Sequence, residues 1–435
     1  MKKFKSILSV LLCLLTVCAS ATIFASCGKE SPVLLSHGDV TLSQAQYAFL
    51  LTRAKAAYEK SGYKDAWDTK LDLTGITRDE YVRQQVLQEA KLMLAGVALF
   101  HEMKLTLPSA TVDAVEQEID ELIEYHGDGS KSELNSILSA YGFNVDMLRE
   151  QYMFEAKYEY VQTELYGEDG SKLAASAKQE YLNEFAVCFK QLVIRSYRYD
   201  YEVDNNGDEI YYLTNANDAK VNKVAYDSVK GVIRTDEFGE TIQDKNGDTV
   251  YYLPNGKIAY DKENGVRMIK MNADGSPATV NLSREELLEN RDIAESMVAS
   301  VEAGDFAAFE ASVAEYADSG DDKFMGDDAL CFLYTTGDNG YDSLNDIADQ
   351  LAEASVGDVF FINTDTGYHV FMKYDIPENA VTNTEYSDWF TDLPERVTQY
   401  LFRQKCNPYL DKIVVDNEVF AACPKVVDVT SNSNY

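Results

Sequence analysis

The chain has 435 residues, with 73 acidic and 39 basic side chains and a net charge of −34 at pH 7. Its length allows two or three domains, each with its own hydrophobic core. The strong negative charge argues against nucleic acid and anionic lipid as partners, and it is compatible with binding basic, unfolded polypeptide segments.

The N-terminus has the pattern of a secretory signal. Three lysines lie within the first five residues, and an apolar run over residues 7–17 follows them. This run is too short for a stable membrane span. The segment Phe24-Ala25-Ser26-Cys27 resembles the lipobox of bacterial lipoproteins, in which the cysteine is acylated. We therefore predict a signal peptide over residues 1–27 and a lipid on Cys27, which anchors the protein to the outer face of the cytoplasmic membrane. An ordinary signal with a chance cysteine is the alternative.

Residues 33–184 have a helical pattern. Thr77-x-x-Glu80 has the form of a capping box, and apolar residues with helical spacing follow it. An amphipathic helix is predicted over residues 386–413, and it completes this helical domain. The tail over residues 430–435 is polar and is predicted to be disordered.

A strand and a repetitive insertion follow the helical region. Residues 187–194 are rich in β-branched and aromatic side chains, which predicts a strand. Within residues 199–282, the segment Asn206–Leu213 recurs as Asn246–Leu253, and the Asn-Gly pairs predict a β-hairpin insertion. The aspartates do not fit the spacing of an EF-hand calcium loop.

Residues 283–376, together with the strand at 187–198, are predicted to form a second domain. Ser283-x-x-Glu286 is a capping box that opens a helix. Two strands, over residues 359–363 and 368–374, flank the turn Thr364–Gly367. A strand, several helices and a hairpin in this order predict an α+β fold.

Few residues suit a metal site. The chain has four histidines, and the four cysteines after Cys27 form no Cys-x-x-Cys pair. We therefore predict no metal and no cofactor. Cys406 and Cys423 are either a disulfide or two free thiols, and buried thiols are favoured.

The segment Arg291–Tyr374 resembles the parvulin family of peptidyl-prolyl isomerases. The matching motifs are Gly304-Asp305-Phe306, Tyr316-Ala317-Asp318, Val356-Gly357-Asp358-Val359 and Thr364-Asp365-Thr366-Gly367-Tyr368-His369-Val370, the last of which is the most specific. With its helical N-terminal region, the whole chain resembles extracytoplasmic foldases of the PrsA and SurA kind. The resemblance implies a helical chaperone domain, a parvulin-like α+β domain and newly exported, unfolded chains as partners.

The resemblance also implies site residues for X-Pro cis/trans isomerisation. His369 corresponds to the second histidine of the family, Thr366 to its hydroxyl, and Asp318 or Ser319 to its acid or cysteine. Met325, Phe324 and Phe371 are the candidates for the pocket that binds the proline ring. These assignments rest on the resemblance alone.

Two departures leave the activity open. Gln191 stands where the family has its first histidine, and the glycine-rich block is reduced to Lys323–Gly326. One hypothesis is a prolyl isomerase that works with Gln191, and the other is a non-catalytic holding chaperone with a vestigial parvulin domain. A solute-binding transport lipoprotein is disfavoured because no βαβ repeats occur. A homodimer is compatible with the sequence, which does not determine the oligomeric state.

Overall fold

The protein is described by a computed structural model. The structure describes residues 31–64, 66–71, 75–214, 220–326, 329–337 and 339–433. The predicted signal peptide and Cys27 lie outside the described residues.

The described chain combines helices with antiparallel strands. The helices are α1 (Gln44–Lys60), α2 (Arg78–Glu102), α3 (Ser109–Tyr125), α4 (Lys131–Leu138), α5 (Val145–Tyr166), α6 (Ala175–Phe185), α7 (Arg284–Ser300), α8 (Phe306–Ala317), α9 (Asp342–Glu353), α10 (Leu393–Leu410) and α11 (Asn417–Ala421). The strands are β1 (Val33–His37), β2 (Val40–Ser43), β3 (Ala186–Arg195), β4 (Tyr197–Tyr199), β5 (Tyr211–Thr214), β6 (Lys220–Val224), β7 (Val232–Ile233), β8 (Tyr251–Tyr252), β9 (Val266–Arg267), β10 (Thr279–Asn281), β11 (Phe324–Gly326), β12 (Cys331–Tyr334), β13 (Val359–Thr364), β14 (Gly367–Tyr374) and β15 (Val414–Val415). This mixture confirms the α+β class. No described helix is both long and apolar enough to span a membrane.

The chain divides into two units, and the boundaries fall after residues 178 and 389. The first unit comprises residues 31–178 and 390–433 of the described chain. In it, the hairpin of β1 and β2 pairs with β15 in a three-stranded antiparallel sheet. Helix α2 buries Val82, Val86 and Leu94 in the main core of this unit.

Side-chain caps fix where three helices of this unit begin. The Ser43 hydroxyl accepts a hydrogen bond from Gln46 N at 3.3 Å, and the Gln46 side chain accepts one from Ser43 N. Thr77 caps α2, and Asn144 caps α5. Each such cap contributes on the order of 1 kcal/mol to stability, which favours a helix start at these polar residues.

The C-terminal part of the first unit differs from prediction in two ways. Helix α10 begins at Leu393 rather than at 386, because Pro394 suits only the first turn of a helix and residues 384–390 form a separate 3₁₀ helix. The tail is ordered as far as residue 433. Asn432 is buried there, and its N–H donates to Thr52 O at 3.0 Å.

The second unit comprises the described residues between 179 and 389. Its main sheet has the order β11, β3, β14, β13, and β12 also pairs with β3. The strand predicted over residues 187–194 is confirmed as β3, at the centre of this sheet. All pairings in it are antiparallel, and Val193 lies opposite both His369 on β14 and Met325 on β11.

Different helices cover the two faces of the main sheet. On one face, Leu192, Ile194 and Val370 pack against α7 and α8. On the other face, Phe189 and Phe371 pack against α9. Because side chains alternate along a strand, Gln191, Val193, Arg195 and His369 also point to this second face.

The insertion at residues 199–282 is a series of short hairpins instead of one long hairpin. The Tyr226 hydroxyl donates to Asp244 Oδ2 at 3.2 Å, and the Tyr260 hydroxyl donates to Asp204 Oδ2 at 3.0 Å. Each tyrosine follows one copy of the sequence repeat and bonds an aspartate that precedes the other copy. The two copies therefore fold together as one pseudo-symmetric body.

The four cysteines of the described chain are buried, and none forms a disulfide with another described residue. Burial raises the pKa of Cys406 to about 12 and that of Cys423 to about 11. These thiols therefore stay protonated at neutral pH, and the alternative of a Cys406–Cys423 disulfide is not what the structure has.

Candidate functional site

The central residue of the candidate site is His369, on β14. Its Nε2 lies 3.0 Å from the Thr366 hydroxyl, and its Nδ1 lies 3.4 Å from Gln191 Oε1 on β3. The first distance is an ordinary hydrogen bond, and the second is long. The structure thus joins three of the predicted residues, Gln191, His369 and Thr366, in one row across two strands and a turn.

Burial lowers the pKa of His369 below its ordinary value of 6.5, so the ring is neutral at neutral pH. A neutral imidazole has one N–H donor and one acceptor nitrogen. Since the Gln191 carbonyl oxygen can only accept, Nδ1 carries the proton and Nε2 accepts from the Thr366 hydroxyl. Thr364 Oγ1 lies 2.9 Å from Thr366 Oγ1 and extends this polar row.

The turn that holds Thr366 depends on Gly367. This glycine has φ +136°, where residues with a Cβ are strained. A Cβ there would overlap the Ile194 carbonyl oxygen and come within 2.9 Å of Arg195 Cα. Glycine therefore allows β14 to begin close against β3, which sets the distance between His369 and Gln191.

Met325 is a predicted pocket residue that lies on the same face and is exposed there. It is opposite Val193 in the sheet, and 45% of its surface is exposed. Val193 itself is only 3% exposed. Gln191 and Arg195 flank Val193 along β3, and Met325 and His369 lie beside it across the sheet. Val193 is therefore covered, and Met325 is the apolar side chain beside it that is exposed to a ligand.

Two predicted pocket residues lie elsewhere. Phe324 points to the opposite face of the sheet and packs against Tyr316 of α8, with ring centroids 4.9 Å apart. Phe371 is on the correct face but fully buried, and it lies beneath the His369 ring at 6.0 Å between centroids. The structure thus places neither ring at the exposed surface beside His369, because a sequence motif does not reveal which residues the packing covers.

Asp318 and Ser319 are also outside the polar row. Asp318 ends α8, and Ser319 accepts a hydrogen bond from Asp321 N at 3.3 Å in the following turn. Both are exposed. Within the described chain, the hydrogen bonds of the His369 ring go to Gln191 and Thr366. The described residues therefore offer no acid that orients the imidazole in the predicted way.

Val193 and Arg195 belong to the candidate site and are missing from the predicted residues. The available signal was the period of two along β3, which places residues 191, 193 and 195 on one face. Using it required knowing that β3 pairs with β14 in this register.

The site belongs to an α+β unit in which a neutral histidine, a glutamine and a threonine are bonded in a row on one face of the sheet. No protein-family model matches the sequence, and a comparison with curated proteins found no match. Among solved structures, the chain is similar to the crystal structure of foldase protein PrsA from Streptococcus pneumoniae str. Canada MDR_19A. The match has 10% sequence identity, covers 89% of this chain and 96% of that chain, and has a TM-score of 0.18, which is too low to carry an argument.

Proposed function

We propose that the protein is a membrane-anchored extracytoplasmic folding factor that binds unfolded chains and accelerates X-Pro cis/trans isomerisation at the face around His369. The observation that carries the proposal is the bonded row Gln191–His369–Thr366 on the sheet face that also exposes Met325. The motif resemblance to parvulins supports the same reading of these residues.

The reaction suits such a site because it needs no covalent step. Rotation about a peptide bond faces a barrier of about 18–20 kcal/mol, and the barrier falls when the amide loses double-bond character. A protein accelerates this rotation by binding the twisted amide more tightly than the planar one, at about 1.4 kcal/mol for each tenfold gain in rate. In this proposal Met325 contacts the proline ring, and the polar row contacts the amide.

The test is isomerisation of X-Pro peptides by residues 28–435, compared with the His369→Ala variant. We expect acceleration over the uncatalysed rate and a loss of at least about tenfold in the variant, because the polar row loses its central member. His101→Ala is the matched control, since His101 lies on α2 in the other unit. Equal rates for His369→Ala and the parent would contradict the proposal.

A holding chaperone without catalysis is the second candidate, and the long contact of 3.4 Å between Gln191 and His369 favours it. This candidate predicts no acceleration of peptides but suppressed aggregation of an unfolded client. Gln191→His separates the two. If catalysis is merely weakened by glutamine, the substitution raises the isomerisation rate; if the face only binds, the rate stays at the uncatalysed value.

A further inference from the structure

One hairpin of the insertion carries exposed apolar side chains at and near its tip. Val229 is 92% exposed, Ile233 53% and Phe238 82%. Phe238 lies in the turn itself, which a hydrogen bond from Gly239 N to Asp236 O closes. A strand advances about 3.3 Å per residue, so Ile233 lies about 10 Å from the start of this turn. We call Val229, Ile233 and Phe238 the apolar tip.

The repeat of the insertion supplies a second segment with the same backbone. Segment 227–239 follows the first copy of the sequence repeat, and segment 261–275 follows the second. Val232 and Val266 have the same place in β7 and β9. Equivalent hydrogen bonds close the turns of the two segments: Gly231 N to Asp227 O and Gly265 N to Asp261 O, then Gly239 N to Asp236 O and Gly275 N to Asn272 O. The side chains of the two segments are therefore comparable place by place.

The second segment has charged side chains at the places of the apolar tip. These are Glu263 for Val229, Arg267 for Ile233 and Asp274 for Phe238. Polar side chains are thus compatible with the same backbone. Because water disfavours exposed apolar surface, the apolar side chains of one segment alone indicate a surface that a partner covers.

The charges around Phe238 indicate the chemistry of that partner. Residues 235–244 include four acidic side chains and no lysine or arginine. Among these acids, Glu237 and Glu240 are exposed on either side of Phe238. Repulsion between like charges disfavours an anionic membrane, and also a second copy of this chain, whose net charge is −34. An apolar segment flanked by lysine or arginine has the complementary charge.

We propose that the apolar tip binds unfolded polypeptide segments in which lysine or arginine flanks apolar residues. This inference rests on the part of the proposed function in which the protein binds unfolded chains. It adds a binding surface besides the face around His369.

The experiment uses residues 28–435 and three fluorescein-labelled peptides, Gly-Xaa-Leu-Phe-Val-Xaa-Gly with Lys, Gln or Glu at both Xaa positions. The peptides contain no proline, so they are not substrates for isomerisation at His369. Binding is measured by fluorescence anisotropy at an ionic strength of about 0.15 M, which screens charges more than about 8 Å apart. We expect the Lys peptide to bind about threefold to tenfold more tightly than the Glu peptide, as for exposed charge pairs.

The double variant Val229→Gln/Phe238→Asn removes two members of the apolar tip and leaves the charge unchanged. Asparagine suits the turn, because Asn246 N donates to Asp244 Oδ1 as Phe238 N donates to Asp236 Oδ1. We expect this variant to bind the Lys peptide at least about tenfold more weakly, because the apolar contact with the phenylalanine ring is lost.

A second double variant, Glu237→Gln/Glu240→Gln, keeps the apolar tip and is expected to lose most of the preference for Lys over Glu. Tyr125→Asn is the matched control, because Tyr125 is an exposed aromatic residue beside Glu121 and Glu124 on α3. This control is expected to bind all three peptides as the parent does. Circular dichroism checks that each variant is folded.

Equal affinity of the parent and the folded Val229→Gln/Phe238→Asn variant for the Lys peptide overturns the inference. A Glu peptide that binds as tightly as the Lys peptide overturns it, as does an equal loss of affinity in Tyr125→Asn. Absence of binding by all three peptides does so too. Binding to phosphatidylglycerol vesicles or self-association that depends on Phe238, without peptide binding, assigns the tip to another occupant and likewise overturns the inference.

Isomerisation of X-Pro peptides separates this inference from the proposed function. If X-Pro peptides are accelerated and the Lys peptide does not bind, the inference fails and the proposed activity at His369 stands. If the Lys peptide binds at the apolar tip and no X-Pro peptide is accelerated, the inference holds and the proposed isomerase activity fails.

Discussion

At the scale of single residues, the protonation of His369 decides what the candidate face can do. The ring is half-buried and lies over Phe371, and burial disfavours its charged form. A neutral ring can accept a hydrogen bond from the Thr366 hydroxyl at Nε2 and donate one from Nδ1 to Gln191 Oε1. A charged ring would have two donors and no acceptor for the Thr366 hydroxyl.

The lowered pKa of His369 predicts how stability changes with pH. Between the folded pKa and the ordinary value of 6.5, the unfolded chain binds the proton more readily than the folded chain. The contribution of His369 to stability is therefore complete above about pH 6.5, falls as the pH drops below it, and levels off below the folded pKa. An NMR titration of the His369 ring is expected to show a midpoint below 6.5.

The control for this prediction is His369→Gln, which removes the titrating group. Its unfolding free energy is expected to fall less steeply than that of the parent below about pH 6.5. A His369 midpoint at or above 6.5 would show that the ring is not held neutral by its surroundings.

At the scale of elements, the pairing of β3 with β14 builds the face, and Gly367 makes it possible. The substitution Gly367→Ala puts a Cβ at φ +136° and against the backbone of Ile194 and Arg195. We expect a loss on the order of 3 kcal/mol in unfolding free energy, because strained φ and steric overlap add. Urea unfolding measures it.

Gly320→Ala is the matched control for strain alone. Gly320 has φ +77°, and nothing lies within 4 Å of where its Cβ would be, so only the backbone penalty of about 1 kcal/mol applies. If the two variants lose the same unfolding free energy, β14 can shift away from β3. The close contact of Gly367 with the β3 backbone would then not fix the strand register.

In the insertion, the repeated aspartates are held by hydrogen bonds, as Asp204 shows. Burial alone would raise the pKa of Asp204, but hydrogen bonds from the N–H groups of Asp208 and Asn206 and from the Tyr260 hydroxyl outweigh it, so the pKa is lowered. The repeated aspartates therefore act as turn caps and as acceptors for the tyrosines. The sequence repeat was visible beforehand, whereas the exchange of contacts between its copies was not.

At the scale of the whole molecule, the described chain has two units, and the full sequence carries strong negative charge. Its attachment to a membrane stays a prediction from Cys27 and the residues before it. A protein held at the surface by acyl chains needs two or more of them for stable anchoring.

This prediction is tested with the full chain expressed in a bacterium fed an alkyne-labelled fatty acid. Label is expected on the parent and absent from Cys27→Ser, because only the lipobox cysteine is acylated. Cys18→Ser is the control, since it changes a cysteine within the preceding signal and leaves Cys27 in place. Label that persists on Cys27→Ser, or that is absent from the parent, would refute anchoring at Cys27.

The sequence by itself determined the local features of this protein. Thr77 and Ser283 each cap a helix where predicted, and β3 and the β13–β14 hairpin occur where β-branched runs and a turn motif placed them. These signals act over a few residues, because a cap or a turn is satisfied by its immediate neighbours.

Only the tertiary structure decided which side chains share a surface. It joined Gln191 to His369 across 178 positions, added Val193 and Arg195, buried Phe371, and moved Phe324 to the opposite face. Strand register and sheet packing fix these outcomes, and both depend on contacts between segments far apart in the chain. A shift of one residue in register would exchange the two faces of a strand, so the partner strand is needed to decide which side chains meet.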